Sequence, residues 1–440
     1  MSSARGLATL GAHLDSFLGA HGDELIHLRR DLHAHPELAR EERRTTALLA
    51  ERLSAAGLAP TLLPGGAGLW CDIGTGDAAV ALRADIDALP IDDLKAEAPY
   101  RSTVPGVCHA CGHDVHAAVV LGAGLALAQL HRVRRLPGRV RLIFEPAEEA
   151  NPGGALDVIA AGGLEGVTEV FALHCDPRLD VGQVGLRAGH ITGSSDHLHV
   201  HFSSAGGHTA RPHLTGDLVY ALAKVVTDVP ALLSRRVDPR AGLSVVWGHV
   251  SAGESANVIP QQGLAVGTVR SLDTQAWKEA RQEVTQAVLS LGAPYGVHVE
   301  VDYRRGVPPV VNDAESVETF RQAVGAVLGA GQEREVEQSL GGEDFAWFLE
   351  HARGALARLG VRSPGSTGVG DLHQGSFDAD EHAIGVGVRL LTATALLALT
   401  RSRGRSTHPV TATPERAPGS ASPPESTSHV TRATSTAHRR

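Results

Sequence analysis

Over the first 190 residues, stretches with helical spacing of apolar positions alternate with short unbroken apolar runs. Thr45 to Leu58 carries Ala47, Leu48, Leu53 and Leu58 at that spacing, with Gly57 as a stop. Val80 to Leu82, Val140 to Phe144 and Val170 to Leu173 are continuous apolar runs bounded by turns or charges. Such runs predict strands buried on both faces, as in an α/β sheet. Asp85 and Asp87 follow the first run, Glu148 and Glu149 follow the second, and His174 ends the third. Chemistry-bearing side chains therefore fall at the carboxyl ends of strands, where open α/β sheets place their sites.

The pattern changes from about Gly193 to Tyr303. Leu198, Val200 and Phe202 alternate with His197, His199 and His201, which predicts a half-exposed strand. Leu218, Leu222, Val225, Val229 and Leu232 mark a helix that contains Pro230. Strands follow near 243–250 and 264–269. A helix capped by Asp273 then presents Trp277, Ala280, Val284 and Leu291 and stops at Gly292, and a last strand carries Val297, Val299 and Val301. The order βαββαβ is that of a ferredoxin-like domain. Residues 305–400 return to αβ patterns and complete the first domain. The expected organisation is a catalytic domain in two parts, 1–190 and 305–400, around an insertion at 191–304, with a disordered Ser/Thr/Pro/Arg-rich tail from 401 to 440.

Composition narrows the class. The 440 residues are 42% apolar and 20% charged, as in a globular protein of two or more domains. A net charge of −9 gives no basis for nucleic-acid binding. No run reads as a membrane span or a signal peptide, and four cysteines fit a reducing cytoplasm better than a disulfide framework.

The densest chemistry lies between Gly106 and His116, with Cys108, His109, Cys111, His113, Asp114 and His116. Thiols beside imidazoles point to a first-row transition metal, not calcium or magnesium. Asp114 stands where a helix begins and is expected to cap it. A zinc knuckle of Cys108, Cys111 and His113, or a redox Cys-x-x-Cys pair, would leave the other carboxylates and imidazoles unexplained. Adjacent Glu148 and Glu149, taken as extended backbone, would point different ways, one toward a metal and one toward substrate as a general base. His174 would end its strand, and His373 lies in a glycine-rich stretch. Asp85 and Asp87 are candidates to orient an imidazole. His197, His199 and His201 share one strand face with no carboxylate accompanying them there, so they read as a polar strand face; His33 and His35 read as structural.

Several segments together resemble the M20 metallopeptidase superfamily, within it the amidohydrolases acting on hippurate, N-acyl amino acids and auxin conjugates. They are Leu-Arg-Arg-Asp-Leu-His-Ala-His-Pro-Glu-Leu (28–38), Arg-Ala-Asp-Ile-Asp-Ala-Leu-Pro (83–90), His-Ala-Cys-Gly-His-Asp (109–114), Pro-Ala-Glu-Glu (146–149), Gly-Gly-His-Thr-Ala-Arg-Pro-His (206–213), Asn-Val-Ile-Pro (257–260) and Gly-Glu-Asp-Phe (342–345). The resemblance implies a mixed-sheet, zinc-peptidase-like α/β catalytic domain with the insertion as lid and dimerisation domain. It implies two divalent ions, of zinc, manganese, cobalt or nickel, held by Cys111, His113, Glu149, His174 and His373. Glu148 would be the base, His208 would meet the substrate carbonyl, often from the partner of a homodimer, and Asn257 and Arg270 would line the substrate site. Asp85, Asp87 and Asp114 would stand behind the ligands. Ala150-Asn151-Pro152 after the Glu pair and Glu145 before Pro146 depart from the family's usual Gly and Gln. The expected substrate is a small amide. A dipeptidase or carboxypeptidase of the same superfamily is the rival, disfavoured because those branches resemble this region with Asp at the Cys111 position. A non-catalytic binding protein would have lost Glu148 or a ligand.

Overall fold

A computed structural model of the chain describes residues 4–76, 79–366 and 370–405. Most of the tail expected from residue 401 lies outside the described residues; its first five positions continue a helix to Arg405. The described residues divide into two compact units, one of 4–191, 310–337 and 344–405, the other of 192–309 and 338–343.

The first unit opens with α1 (Ala4–Ala34) and α2 (Arg43–Ala55). Next come β1 (Thr61–Leu62), β2 (Leu69–Ile73), β3 (Ala79–Asp85), α3 (His113–Val133), β4 (Arg139–Glu145), α4 (Ala155–Ala160), β5 (Val167–Asp180), β6 (Val184–Leu186) and β7 (Gly189–His190). The second unit holds β8 (Ser195–Ser203), β9 (Gly207–His208), α5 (Leu218–Arg236), β10 (Ser244–Ala252), β11 (Val258–Ile259), β12 (Gln262–Arg270), α6 (Thr274–Gly292) and β13 (His298–Val307). The chain returns to the first unit with β14 (Val311–Asn312), α7 (Ala314–Val327), β15 (Glu333–Glu335), α8 (Phe345–Leu349), β16 (Arg353–Arg362) and α9 (His382–Arg405).

The first unit is built on a mixed eight-stranded sheet, ordered β1-β2-β4-β3-β5-β16-β6-β15. Its centre is parallel, β4 with β3, β3 with β5, and β5 with β16. The unbroken apolar runs have a direct cause here. Alternate residues of each central strand enter opposite cores. On β3, Val80, Leu82 and Ala84 face one core, and Ala79 and Ala81 face the other. On β5, Phe171, Leu173 and Cys175 face the first, and Val170 and Ala172 the second. Both faces of the sheet exclude water, so neither set can be polar.

Two expectations are corrected. The strand containing His174 does not end there: β5 continues to Asp180 although its apolar run stops, because Cys175 and Asp176 stay buried against neighbouring chain. Helices α3 and α9 are long and apolar enough to cross a bilayer, contrary to the sequence reading. The relevant windows are 83% and 72% buried within the protein, which accounts for their composition as core helices.

The second unit has the strand order β10-β12-β8-β13, antiparallel throughout. Leu198, Val200 and Phe202 of β8 join the core formed with α5 and α6. Asp217 and Asp273 cap those helices, each accepting a backbone N–H three residues on. Gly292 is the last residue of α6 and not a left-handed stop; that conformation comes at Gly296 after a further short turn. The buried Asp196 carboxylate ties the unit together by accepting from Trp277 Nε1, Tyr303 Oη and the Gly306 N–H.

The C-terminal return is locked by aromatic packing, Phe171 of β5 meeting Phe320 of α7 edge-on at 5.1 Å. Phe320→Ala is expected to destabilise the protein by about 3–5 kcal/mol through the cavity it leaves. Urea unfolding checks this; a loss below about 1 kcal/mol would mean the return segment is held by other contacts.

Candidate metal centre

The carboxyl ends of β3 and β4 lie side by side, Asp85 in register with Glu145. The chain beyond β3 carries Asp87, the chain beyond β4 carries Glu148 and Glu149, and α3 begins beside them with His113. Gly112 precedes the helix at φ 85, a left-handed conformation. A Cβ there would also stand 2.8 Å from Cys175 Sγ. Only glycine meets both demands, and it sets Cys111 and His113 on either side of a sharp bend. Asp114 is not the cap: α3 has no side-chain cap, and Asp114 sits buried in its first turn. Its carboxylate accepts from Arg29 Nε and from His33 Nδ1, both at 2.7 Å.

Glu148 and Glu149 occupy a turn, not extended backbone. Ala147 before them has φ 59, and its N–H donates to Glu42 Oε1 at 2.7 Å. The Glu149 N–H donates to Asp87 Oδ2 at 2.9 Å. Two remote carboxylates thus pin the turn.

Donor atoms converge in two sets that share a thiol. One atom each of Cys111, His113 and His174 lies within 4.8 Å of the others, and so does one each of Cys111, Glu149 and His373. His174 Nε2 is 3.5 Å from Cys111 Sγ, and His373 Nε2 is 3.2 Å from Glu149 Oε1. His373 reaches in from a loop at φ 62, its N–H held by the Ala110 carbonyl. A third group, Asp85, His113 and His116, is equally close.

Hydrogen bonding separates the imidazoles. His113 Nδ1 lies 3.0 Å from the Asp87 carbonyl and 3.1 Å from its carboxylate, both acceptors, so Nδ1 carries the proton. His113 Nε2 is left buried with no hydrogen bond. His174 Nδ1 donates to the Cys175 carbonyl at 2.8 Å, so its Nε2 keeps a lone pair, turned toward Cys111 Sγ. His116 differs: Nδ1 donates to Asp85, and Nε2 accepts the Cys175 N–H at 2.8 Å. Both nitrogens of His116 are engaged, so it braces the site and is not a donor to an ion. Asp87 orients His113, whereas Asp85 orients His116.

The electrostatics fit a cation between the donors. Burial pushes the Cys111 thiol well above its ordinary pKa, and Glu149, Glu148 and Asp85 push it further. Burial disfavours charge on His113, yet Asp85, Asp87 and Glu149 outweigh it and raise its pKa. Burial and the surrounding carboxylates together raise the thiol, and the carboxylates raise the imidazole, so the pocket favours positive charge that divalent cations would supply. His174 is held neutral by burial, with Arg358 and His116 adding to the effect.

Arg83, absent from the sequence reading as a functional residue, organises the carboxylates. It is fully buried and donates to Glu145, to Asp85 Oδ2 at 2.8 Å and to Asp344 Oδ1 at 2.8 Å. Asp344 also accepts the Ala155 N–H, and its carboxylate lies within 4.8 Å of that of Glu148. Arg83 and Asp344 both stood in the matched segments, but only long-range folding reveals them as partners. Glu145, a departure from the usual Gln, is a partner of this guanidinium. His33 is structural, bridging Asp114 and Asp93. His109 is buried with neither nitrogen bonded, and burial lowers its pKa to about 3.

His208, Asn257 and Arg270 belong to the second unit. His208 on β9 pairs with Val258 of β11, beside Asn257, whose carbonyl accepts the Thr209 N–H. His208 is exposed, and its Nδ1 accepts the Ala210 N–H at 3.1 Å, so Nε2 carries the proton. Arg270 donates to the Leu340 carbonyl at 2.9 Å. His213 is exposed on a short turn.

Residues 81–397 match the model of the peptidase family M20/M25/M40. A Rhodococcus jostii (strain RHA1) protein named "Putative glutamate--cysteine ligase 2-3" is 51% identical over 84% of this chain, which spans only 46% of that longer protein. A Bacillus subtilis (strain 168) protein named N-acetyl-L-cysteine deacetylase is 37% identical over 82% of this chain and 85% of its own length. Among solved structures, the Bacillus subtilis YXEP protein, described as a dinuclear metal binding peptidase from the M20 family, is 32% identical with a TM-score of 0.75, over 87% of this chain and 99% of that one.

Burial raises the Glu42 pKa from 4.5 to about 7. The folded state then favours the protonated acid. Its contribution is fully present below pH 4.5 and lost as the pH rises through 7, an effect of about 3 kcal/mol. Glu42→Gln retains the acceptor for Ala147 and removes the charge. The variant is expected to gain stability over wild type at pH 8 but not at pH 4; equal differences at both pH values in urea titrations would refute this.

Proposed function

The chain belongs to peptidase family M20/M25/M40, and on that footing we propose that it is a metal-dependent amidohydrolase. It would cleave the amide of an N-acyl amino acid, or a similar small amide, into acid and amine. The observation that carries this reading is the pair of donor sets sharing the Cys111 thiol. We assign Cys111, His113 and His174 to one ion and Cys111, Glu149 and His373 to the other, with zinc, manganese, cobalt or nickel as candidates. Such a pair of ions supplies Lewis-acid polarisation of a carbonyl and a lowered pKa for water.

The protein's own groups do the rest. Glu148 lies at the same turn as Glu149 with its side chain 9% exposed, so it meets both the cluster and solvent. It takes the proton of the attacking water and returns it to the leaving amine. His208 has its Nε2 proton free to donate to the carbonyl oxygen as charge develops there. Asn257 and Arg270 contribute to substrate binding, Arg270 through a carboxylate. Cysteine stands in the names of both sequence relatives, so N-acetylcysteine is the first substrate to try. The peptidase reading is weaker because the shared donor is Cys111 and not an Asp.

Four buried cysteines outside any disulfide support a reducing, cytoplasmic setting. A homodimer through the second unit is supported by its edge strand, β10, where Val246 and Val250 are 62% and 46% exposed.

A release assay over N-acetyl, N-benzoyl and long-chain N-acyl amino acids plus dipeptides should show turnover of acyl amino acids with at least one of the four metals. Dipeptide turnover alone would overturn the proposal. Glu148→Gln should keep its metal content and lose about 10²–10⁴-fold in kcat; retained activity would remove Glu148 as the base. Sedimentation should give a dimer, and a fully active monomer would exclude His208 acting across subunits.

A further inference from the structure

The row of histidines on β8 takes no part in the chemistry above, and the fold gives it company that the linear sequence does not. His197, His199 and His201 share the sheet face opposite the helices, since Leu198, Val200 and Phe202 fill the core between them. Across the antiparallel pairing with β13, Arg304 stands opposite His197, Asp302 opposite His199 and Glu300 opposite His201. Carboxylates do accompany the imidazoles, contributed by a strand much later in the chain.

The register distinguishes the two ends of the row. Arg304 lies 2.7 Å from Asp302, so that carboxylate is already matched by a guanidinium, and the positive charge opposes an ion near His197. At the other end, His201 and Glu300 are directly paired, with Cβ atoms about 5 Å apart by sheet geometry. His199 lies two residues along the same face, about 7 Å away. These separations let two imidazoles and a carboxylate reach one ion by rotating about their own side-chain bonds. On β12, Val266 and Leu264 flank His199 and His201 and provide an apolar border.

We propose that His199, His201 and Glu300 bind a divalent transition-metal ion on the open face of the second unit's sheet. Two imidazoles and one carboxylate form a donor set suited to zinc or nickel. The remaining coordination positions face solvent. His298, opposite Ser203 on the same face, is a competing donor.

The test uses purified holoenzyme and the His199→Asn/His201→Asn double variant. Each is dialysed against the same series of micromolar zinc concentrations, and bound metal is counted by mass spectrometry. Wild type is expected to hold one more ion per chain than the variant, with the same hydrolytic activity and, after zinc is removed from both, the same melting temperature. Equal metal content would overturn the proposal. Loss of the extra ion in His298→Asn, with none in a single His199→Asn variant, would overturn the assignment of these three residues. The readout is a difference in metal bound, so it stands whether or not the proposed hydrolase reaction is correct.

Discussion

The buried guanidinium of Arg83 is the interaction on which the carboxyl edge of the large sheet depends. Three carboxylates meet it, Asp85 from its own strand, Glu145 from β4 and Asp344 from the start of α8. Taking each ion out of water costs several kcal/mol, and only close pairing offsets that cost. Arg83 supplies the pairing for three anions at once with its planar fork of donors. In doing so it fixes the relative position of two strands and a helix. Asp85 then holds His116, and His116 accepts the Cys175 N–H, so the order it imposes extends to β5. Asp344 carries it to Ala155 at the start of α4.

Arg83 does not neutralise the whole edge. Asp87, Glu148 and Glu149 lie further out, around the Cys111 thiol and the His113 imidazole. Here burial and carboxylates raise the Cys111 thiol, and carboxylates outweigh burial to raise His113. The two solutions differ in kind. Arg83 is a permanent cation and makes its surroundings structural. The outer group has no permanent cation of this kind among its donors, and under the proposed assignment a divalent ion would supply that charge. The boundary between scaffold and chemistry runs between Asp85 and Asp87, two residues apart in sequence.

Much of this was legible in the chain. The continuous apolar runs became the central strands because burial on both faces leaves no other composition, and the dense run of thiols and imidazoles from Gly106 to His116 marked the segment that carries Cys111 and His113. What was not legible depended on distant partners. Asp114 has the residue type and position of a cap, yet Arg29 and His33 claim its carboxylate from another helix. Glu148 and Glu149 look extended after a strand, but Glu42 and Asp87 pull the backbone into a turn. Glu300 and Asp302 face the β8 histidines only after a complete βαββαβ excursion. Local pattern reports the element; the partner that decides a polar side chain's role is usually elsewhere in the chain.

Histidine shows this most clearly. His113, His116 and His174 are equally buried and lie within a few ångströms of one another, and all three have Nδ1 placed against an oxygen acceptor. Position and burial do not separate them. The second nitrogen does, because that of His116 accepts the Cys175 N–H, whereas those of His113 and His174 remain as lone pairs in the donor cluster. His208 has the opposite arrangement: its Nδ1 accepts, so its free nitrogen is a donor, suited to an oxygen that gains charge and unsuited to a metal. In these four imidazoles, the hydrogen bonding of one nitrogen fixes the tautomer and so decides what the other can do.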